Sequence, residues 1–204
     1  MFSRYRHGFI KPIEESRYFT MRIVSLPGSE DFILVAAHLR SMLYQSLESQ
    51  NYTCVELATD IRGVEERLDT DRTVVAGDLN VNPFDFGMVA ALGLHGMMSQ
   101  GQTEKRKRKV AGREYPLFYN PMWSYMGDLS EGPPGTYHYE TSEQVNYGWN
   151  MFDQVLVRPS MIPRFDFNCL EIITSVGEES LLTERGMPDK SISDHLPIVF
   201  GIKI

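Results

Sequence analysis

Residues 73–83, with the sequence TVVAGDLNVNP, constrain the fold of this chain more than any other segment. The apolar run 74–76 is rich in β-branched residues and too short for a helix, so we predict a buried strand. Gly77 would let another backbone approach closely, and the proline that ends the segment prevents the strand from continuing. We therefore expect Asp78 and Asn80 at the carboxyl end of a strand and on one face, because strand side chains two residues apart point the same way.

Open αβ architectures place their chemistry at the carboxyl ends of strands. A carboxylate and a carboxamide held side by side there can orient a water molecule and hold a phosphate oxygen. The alternative interpretation is a turn in which Asp78 and Asn80 only satisfy backbone groups. The choice between the two depends on what the rest of the chain offers.

A second polar segment, Ser193-Asp194-His195, precedes the apolar residues 196–200 near the end of the sequence. An aspartate beside a histidine, just before a strand, places a metal ligand and a proton acceptor together. A surface turn would explain this pair when it is taken alone.

Two shorter motifs complete the pattern. The letters AHL at 37–39 follow a predicted strand at 32–36, and the letters WNMFDQVLV at 149–157 contain another predicted strand. In this order along the chain, the four motifs resemble those of the endonuclease/exonuclease/phosphatase superfamily. Its members are metal-dependent phosphoesterases related to pancreatic deoxyribonuclease.

The resemblance implies an α+β fold, a four-layer αββα sandwich of two mixed β-sheets like that of deoxyribonuclease I. It implies a single domain over residues 1–204 that corresponds to the C-terminal portion of the family domain. The family carries an Asn and a Glu, its principal metal ligand, on strands upstream of a segment that residues 1–5 resemble, so we expect an N-terminally incomplete domain. Glu14 and Glu15 come after that segment, and we interpret them as solvated carboxylates in a polar connector.

The resemblance also implies roles for the polar residues. Asp153 would accept a hydrogen bond from His195, which fixes the tautomer of the imidazole and raises its basicity. His195 would then take a proton from water, and Asp78 would orient that water. Asn80 and His38 would hold the nonbridging oxygens of the phosphate.

A metal cofactor follows from the same resemblance. Asp194, together with the Glu missing upstream, would hold Mg²⁺ or Mn²⁺, hard cations that prefer oxygen ligands. The expected activity is Mg-dependent hydrolysis of phosphate esters, with a phosphodiesterase or nuclease as the leading hypothesis. Two alternatives stay open: a catalytically incomplete module that binds phosphate or nucleic acid, and a phosphatase acting on inositol phosphates or phospholipid headgroups. The inositol-phosphatase signature has an Asp-Arg pair where Gln154 follows Asp153 here.

The densest positive charge lies at residues 105–109, KRKRK, in a chain whose formal net charge is −7. Such a run usually occupies a mobile solvated loop or acts as a localisation signal. The sharper hypothesis is a phosphate-binding loop in which Lys105, Arg106, Lys107 and Arg108 contact the substrate, with nucleic acid favoured. The aromatic residues at 115–125 leave a similar choice between core anchors of an irregular insertion and surfaces on which a base stacks.

Periodicity and composition give predictions for one helix, two strands and the class of protein. Apolar residues at spacings of three and four, from Leu43 onward, predict a helix over 41–69 with a break near Asn51. Residues 17–25 and 31–38 predict two strands joined by a Pro-Gly turn. The hydrophobic share of 42% and the charged share of 23% are ordinary for a soluble globular protein. Isolated cysteines, no membrane-spanning run and no secretory start predict a cytoplasmic protein.

Overall fold

A computed structural model of the protein describes residues 3–6, 8–41 and 46–203. Met1 and Phe2 of the predicted opening segment lie outside the described residues, as does Leu43. The strands are β1 (Ile10–Glu15), β2 (Phe19–Val24), β3 (Phe32–His38), β4 (Thr73–Asp78), β5 (Gly96–Met97), β6 (Lys107–Val110), β7 (Arg113–Pro116), β8 (Phe118–Tyr119), β9 (Tyr137–Tyr139), β10 (Gly148–Asn150), β11 (Asp153–Val157), β12 (Phe165–Ile172), β13 (Ser175–Val176), β14 (Glu179–Ser180) and β15 (Ile198–Ile202). The α-helices are α1 (Leu47–Arg67), α2 (Phe86–Val89) and α3 (Gln100–Thr103), and two 3₁₀-helices cover Pro121–Tyr125 and Pro159–Arg164.

Seven strands form a mixed sheet in the order β1-β2-β3-β4-β11-β8-β5. The antiparallel pairing of β2 with β3 confirms the predicted hairpin. Strands β3 and β4 are parallel, with His38 beside Asp78, whereas β11 is antiparallel to β4, with Asp153 beside Asp78. The carboxyl ends of β3 and β4 and the amino end of β11 therefore meet at one edge of the sheet.

Helix α1 covers one face of this sheet. Its N-cap residue Ser46 accepts a hydrogen bond from the backbone N–H of Ser49 at 3.3 Å, which fixes the start of the helix. The helix buries a row of apolar side chains against the sheet: Cys54, Leu57, Ala58, Ile61 and Val64. The predicted helix is confirmed with a later start, but the predicted break is wrong. The helix is continuous through Asn51, whose side chain accepts a hydrogen bond from the N–H of Gly87 at 2.9 Å.

The other face of the sheet packs against a second β layer. This layer consists of two-stranded ladders, β9 with β10 and β12 with β15, rather than of one continuous sheet. The core between the layers contains Val155 and Val157 of β11, Phe165 and Ile172 of β12, and Leu196. The predicted α+β sandwich is confirmed in a shortened form, because α1 is the one α-helix longer than four residues among the described residues. None of the helices in these ranges combines the length and apolar character needed to cross a bilayer.

Two segments differ from the sequence predictions. Glu14 and Glu15 lie in strand β1 rather than in a connector, and their carboxylates pair with Arg67 and Arg22. The basic run is a turn only at Lys105 and Arg106, because from Lys107 it forms β6, which pairs with β7 as an antiparallel hairpin. Of the aromatic residues that follow it, Phe118 and Tyr119 are buried in β8, as expected for core anchors.

Candidate active site

Three polar side chains converge where β3, β4 and β11 meet. Asp78, Asp153 and His195 each offer one ligand atom, and these atoms all lie within 4.8 Å of one another. Nδ1 of His195 lies 2.8 Å from Oδ2 of Asp153. His38 stands at the rim, with its Nε2 3.5 Å from Oδ2 of Asp78 and its side chain 82% exposed. Residues from four separate motifs thus surround one small region of the surface.

Gly77 makes the close approach of β3 and β4 possible. Its φ is +137°, and a Cβ at this position would lie 2.0 Å from the carbonyl oxygen of Ala37. No side chain fits in that space, so the glycine is required where the two strands end. The close backbone approach that the sequence predicted at Gly77 is therefore present.

Asp78 and Asn80 are neighbours because of a turn, not because of strand alternation. β4 ends at Asp78, and Asn80 has a φ of +52° in the left-handed region. The backbone N–H of Asn80 donates to Oδ1 of Asp78 at 2.9 Å, and its Nδ2 donates to Oδ2 at 2.7 Å. The predicted proximity is present, but the reason given for it from the strand period is wrong.

The side-chain amide of Asn80 is already engaged. Its Nδ2 also donates to the carbonyl oxygen of Leu39 at 2.9 Å, and an amide nitrogen has only two hydrogens to donate. Asn80 is 6% exposed. In this arrangement the residue holds Asp78 and the end of β3, so a contact from its N–H groups to phosphate would require one of these bonds to open.

Buried carboxamides fix the backbone that follows Asp78. Gln50 of α1 donates from Nε2 to the carbonyl oxygen of Asn80, and Gln154 donates to that of Val81 at 2.6 Å. Asn82 accepts a hydrogen bond from the N–H of Met151 at 2.9 Å. Sequence reasoning missed Gln50 and Asn82, because a polar residue on a helix or in a turn resembles any solvated one.

Thr136 connects the two segments that supply Asp153 and His195, the pair called the dyad below. Its Oγ1 accepts hydrogen bonds from the N–H groups of Phe152 and Asp153, at 3.2 and 3.0 Å, and its carbonyl oxygen accepts from Leu196 at 2.8 Å. The ring of Tyr137 lies 4.8 Å from that of His195. Nothing in the sequence distinguishes Thr136 from other threonines, so this role was not predicted.

No protein-family model matches this sequence, and no curated protein matches it either. Three solved structures illustrate what the fold is similar to. The catalytic domain of human Nocturnin, with a bound sulfate anion, is 12% identical; the match covers 94% of this chain and 55% of that one, with a TM-score of 0.48. TDP2 from D. rerio, complexed with a single-strand DNA product, is 17% identical over 97% of this chain and 70% of that one, with a TM-score of 0.46. An endonuclease/exonuclease/phosphatase from Beutenbergia cavernae is 19% identical over 91% of this chain and 39% of that one, with a TM-score of 0.41.

At identities of 12% to 19%, these likenesses concern the fold alone. The chain spans 55% of the length of the Nocturnin domain.

The electrostatics of the site favour the charged form of His195 and disfavour the charged form of Asp78. Burial opposes the protonation of His195, but the hydrogen bond and charge of Asp153, with Asp78 and Asp194 behind them, raise its pKa above the ordinary value. Burial, followed by the nearby charge of Asp153, raises the pKa of Asp78. Two carboxylates thus face each other with a net excess of negative charge.

A divalent cation of the kind predicted from the sequence motifs fits these donors. Mg²⁺ and Mn²⁺ prefer carboxylate oxygens, and they commonly use one or two carboxylates together with water. Among the described residues, Oδ1 of Asp153 has no hydrogen-bond partner, and the carboxylates of Asp153 and Asp78 repel each other. A cation between them would relieve that repulsion.

The structure places Asp194 beside this group rather than within it. Asp194 is exposed and does not belong to the set of converging ligand atoms, although its charge contributes to raising the pKa of His195 and of Tyr137. Its role as a metal ligand stays a prediction.

The basic residues lie away from Asp78, and their predicted contact with the substrate stays a prediction. Nη1 of Arg106 lies 3.5 Å from Oδ2 of Asp71, just before β4 begins, whereas Asp78 ends that strand. The five residue steps from Thr73 to Asp78 span about 16 Å. Lys105, Lys107 and Arg108 adjoin Arg106 in the sequence. The hairpin therefore lies at the opposite end of β4 from Asp78.

Proposed function

We propose that this protein hydrolyses phosphate esters, with phosphodiesters as the preferred class. The observation that carries the proposal is the pairing of His195 with Asp153 at 2.8 Å, beside the carboxylate of Asp78 and the exposed imidazole of His38. Such a hydrolysis needs a proton acceptor, a carboxylate that orients it, a second carboxylate and a hydrogen-bond donor for the phosphate.

The dyad sets the direction of proton transfer. Asp153 accepts a hydrogen bond from Nδ1–H of His195, so Nε2 carries the free lone pair. Nε2 takes a proton from a water molecule whose oxygen bonds to phosphorus. The bond from phosphorus to the leaving oxygen breaks in line, and that oxygen departs with the bonding electron pair.

Asp78 and His38 complete the arrangement on the side of β3 and β4. The carboxylate of Asp78, fixed by its two hydrogen bonds from Asn80, orients the attacking water. The exposed Nε2 of His38 donates to a nonbridging oxygen of the phosphate. Asn80 acts chiefly by holding Asp78.

The carboxylates of Asp78 and Asp153, with Asp194 next to His195, would hold Mg²⁺ or Mn²⁺. When bound, the cation offsets negative charge on the phosphate and on the leaving oxygen. A second candidate function is a phosphate-binding module without turnover. It is favoured by the exposed position of Asp194, which leaves two carboxylates in the converging group.

The test is hydrolysis of bis-p-nitrophenyl phosphate with Mg²⁺ or Mn²⁺ and with excess chelator. His195→Gln is the diagnostic variant. His138→Gln is the matched control, because His138 packs against Trp149 at 5.0 Å and outside the converging group. We expect His195→Gln to lower the rate by at least about 10²-fold and the control to retain it.

Full activity in excess chelator, or equal rates for the two histidine variants, would contradict the mechanism. Binding of Mg²⁺ and inorganic phosphate by the wild-type protein without turnover would instead establish the noncatalytic module.

A further inference from the structure

The basic run is carried by a defined hairpin. β6 and β7 pair from Lys107 with Pro116 to Val110 with Arg113. The two connecting residues, Ala111 and Gly112, have φ values of +47° and +81°. Positive φ at both central residues is the type I′ geometry, whose twist matches that of the flanking strands. The charges are therefore displayed at fixed spacing on a strand.

The hairpin opposes the charge of the rest of the molecule. Residues 105–113 contain six basic and no acidic side chains, and all of them are exposed. The rest of the chain has 14 basic against 27 acidic residues, a formal charge of −13. A polyanion approaching this protein is repelled by most of its surface and attracted by this segment.

The orientation of the hairpin leaves its lysines unpaired. Nε of Arg108 donates to Nε2 of the buried His95 at 3.0 Å, while Nδ1 of His95 lies 3.1 Å from the carbonyl oxygen of Pro116. Arg108 thus faces the body of the protein. Because strand side chains alternate, Lys107 and Lys109 face the other way. Neither forms an ion pair with any residue in the described part of the chain, whereas Arg106 pairs with Asp71.

We propose that the β6–β7 hairpin binds the sugar–phosphate backbone of a nucleic acid at a second contact, separate from the candidate active site. The hairpin lies beyond the far end of β4, more than about 16 Å from Asp78. That separation corresponds to about five steps of 3.4 Å along one strand of a duplex. The hairpin would therefore hold a part of the chain distant from the reacting phosphate. Its role in substrate capture rests on the proposed function, whereas its binding of nucleic acid does not.

The binding test compares two variants that remove the same charge. Lys107→Gln with Lys109→Gln alters the hairpin, and Lys11→Gln with Lys203→Gln is the control, because these lysines are exposed on other parts of the fold. Fluorescence anisotropy measures the Kd of each protein for a 20-residue single strand and a 20-base-pair duplex at several salt concentrations. We expect the hairpin variant to bind at least about 10-fold more weakly than the control. The slope of log K against log salt for the duplex should fall by about 2, one per lost phosphate contact.

Equal affinities and equal salt slopes for the two variants would overturn the proposal. So would a dependence on Lys107 and Lys109 that appears with phosphatidylserine vesicles and not with either nucleic acid.

An activity measurement separates this proposal from the proposed function. Hydrolysis of bis-p-nitrophenyl phosphate should be equal in the two variants, whereas kcat/KM for the 20-residue strand should fall about 10-fold in the hairpin variant. If the wild-type protein hydrolyses neither substrate, the proposed function fails, and the anisotropy result still decides the hairpin. Equal loss of both activities would place the lysines in the active site and contradict a separate contact.

Discussion

The two ends of strand β4 carry buried charge in opposite ways. At its start, Arg158 binds Glu65 with two hydrogen bonds of 2.8 and 2.9 Å, and both side chains are almost fully buried. Oγ1 of Thr73 donates to Glu65 at 2.6 Å, and Arg158 also donates to the carbonyl oxygen of Leu117 at 3.1 Å. Each charge here has an opposite partner and additional hydrogen bonds.

At the other end of β4, charge is left in excess. Asp78 and Asp153 face each other, and the converging group contains a single imidazole, that of His195, against these two carboxylates. The raised pKa of Asp78 reflects burial and then this repulsion. The comparison indicates that the paired end holds the fold, whereas the unbalanced end is prepared for a ligand that supplies positive charge.

Asp153→Asn should produce the largest effect that we expect. The amide cannot support the imidazole of His195 as the carboxylate does, so we expect hydrolysis to fall by about 10²- to 10⁴-fold. The rate requires neutral His195, whose pKa is raised mainly through Asp153 against the effect of burial, so the rate should fall as the pH is lowered through that raised value. In the variant, the midpoint of any residual activity should move to lower pH.

The pH–rate profile of bis-p-nitrophenyl phosphate hydrolysis checks this expectation. Asp166→Asn is the control, because Asp166 lies on β12 at a distance of 4.0 Å from Lys203 and outside the converging group. An unchanged midpoint in the Asp153 variant would show that the dyad does not set the protonation of His195.

Glu65→Ala should be the most damaging change at the paired end. It leaves the charge of Arg158 buried without its partner, and breaking a buried pair in this way costs about 3–5 kcal/mol. Urea unfolding measures the loss, with the exposed neighbour Glu66→Ala as the control. A loss no greater than that of the control would mean that the paired end does not hold the fold.

The unbalanced end of β4 could be predicted from the sequence where the residues that define it are close together in the chain. Val74 to Asp78 reads as a strand because its apolar run and its glycine lie together, and the geometry of Gly77 depends on one adjacent strand. Helix α1 was predictable for the same reason, since its buried apolar residues, from Cys54 to Val64, recur at helical spacing. Its start and its continuity through Asn51 depend on capping and on a contact with Gly87, which periodicity does not report.

The paired end could not be predicted, because its partners lie far apart in the sequence. Glu65 and Arg158 are 93 residues apart, and each resembles an ordinary surface charge until the fold brings them together. The basic hairpin was missed for a related reason. Its turn is Ala111-Gly112, whereas Asn-Gly or Asp-Gly is the usual signal for this geometry, so its six positive charges suggested a loop.

Acid should lower the stability of the protein through His95, which accepts a hydrogen bond from Arg108 of the hairpin. Burial lowers the pKa of His95 to about 4, against an ordinary value of 6.5. A histidine whose folded pKa is depressed contributes stability that is present above its unfolded pKa and lost as the pH falls toward the folded value. Between pH 6.5 and pH 4 this difference amounts to about 3 kcal/mol.

Urea unfolding of the wild-type protein and of His95→Gln at pH 7 and pH 4.5 isolates that contribution. We expect the wild-type protein to lose more stability than the variant over this interval, because Arg108 cannot donate to a protonated His95. Equal losses in both proteins would show that His95 does not carry the acid sensitivity.

Asp78→Asn should give the smallest change in stability, and one of opposite sign to Glu65→Ala. The folded pKa of Asp78 is raised, so its favourable contribution is present below its unfolded pKa and is lost as the pH rises through the folded value. Above that value the ionised carboxylate therefore costs the folded state free energy. An amide would keep one oxygen to accept from the N–H of Asn80, although it would lose the bond from Nδ2 of Asn80. We expect the free energy of unfolding to rise by less than about 1 kcal/mol while hydrolysis is lost. Asp71→Asn, before the other end of β4, is the control for removal of a charge. A destabilisation above about 1 kcal/mol would mean that Asp78, like Glu65, holds the fold, and the two ends of the strand would then no longer differ in kind.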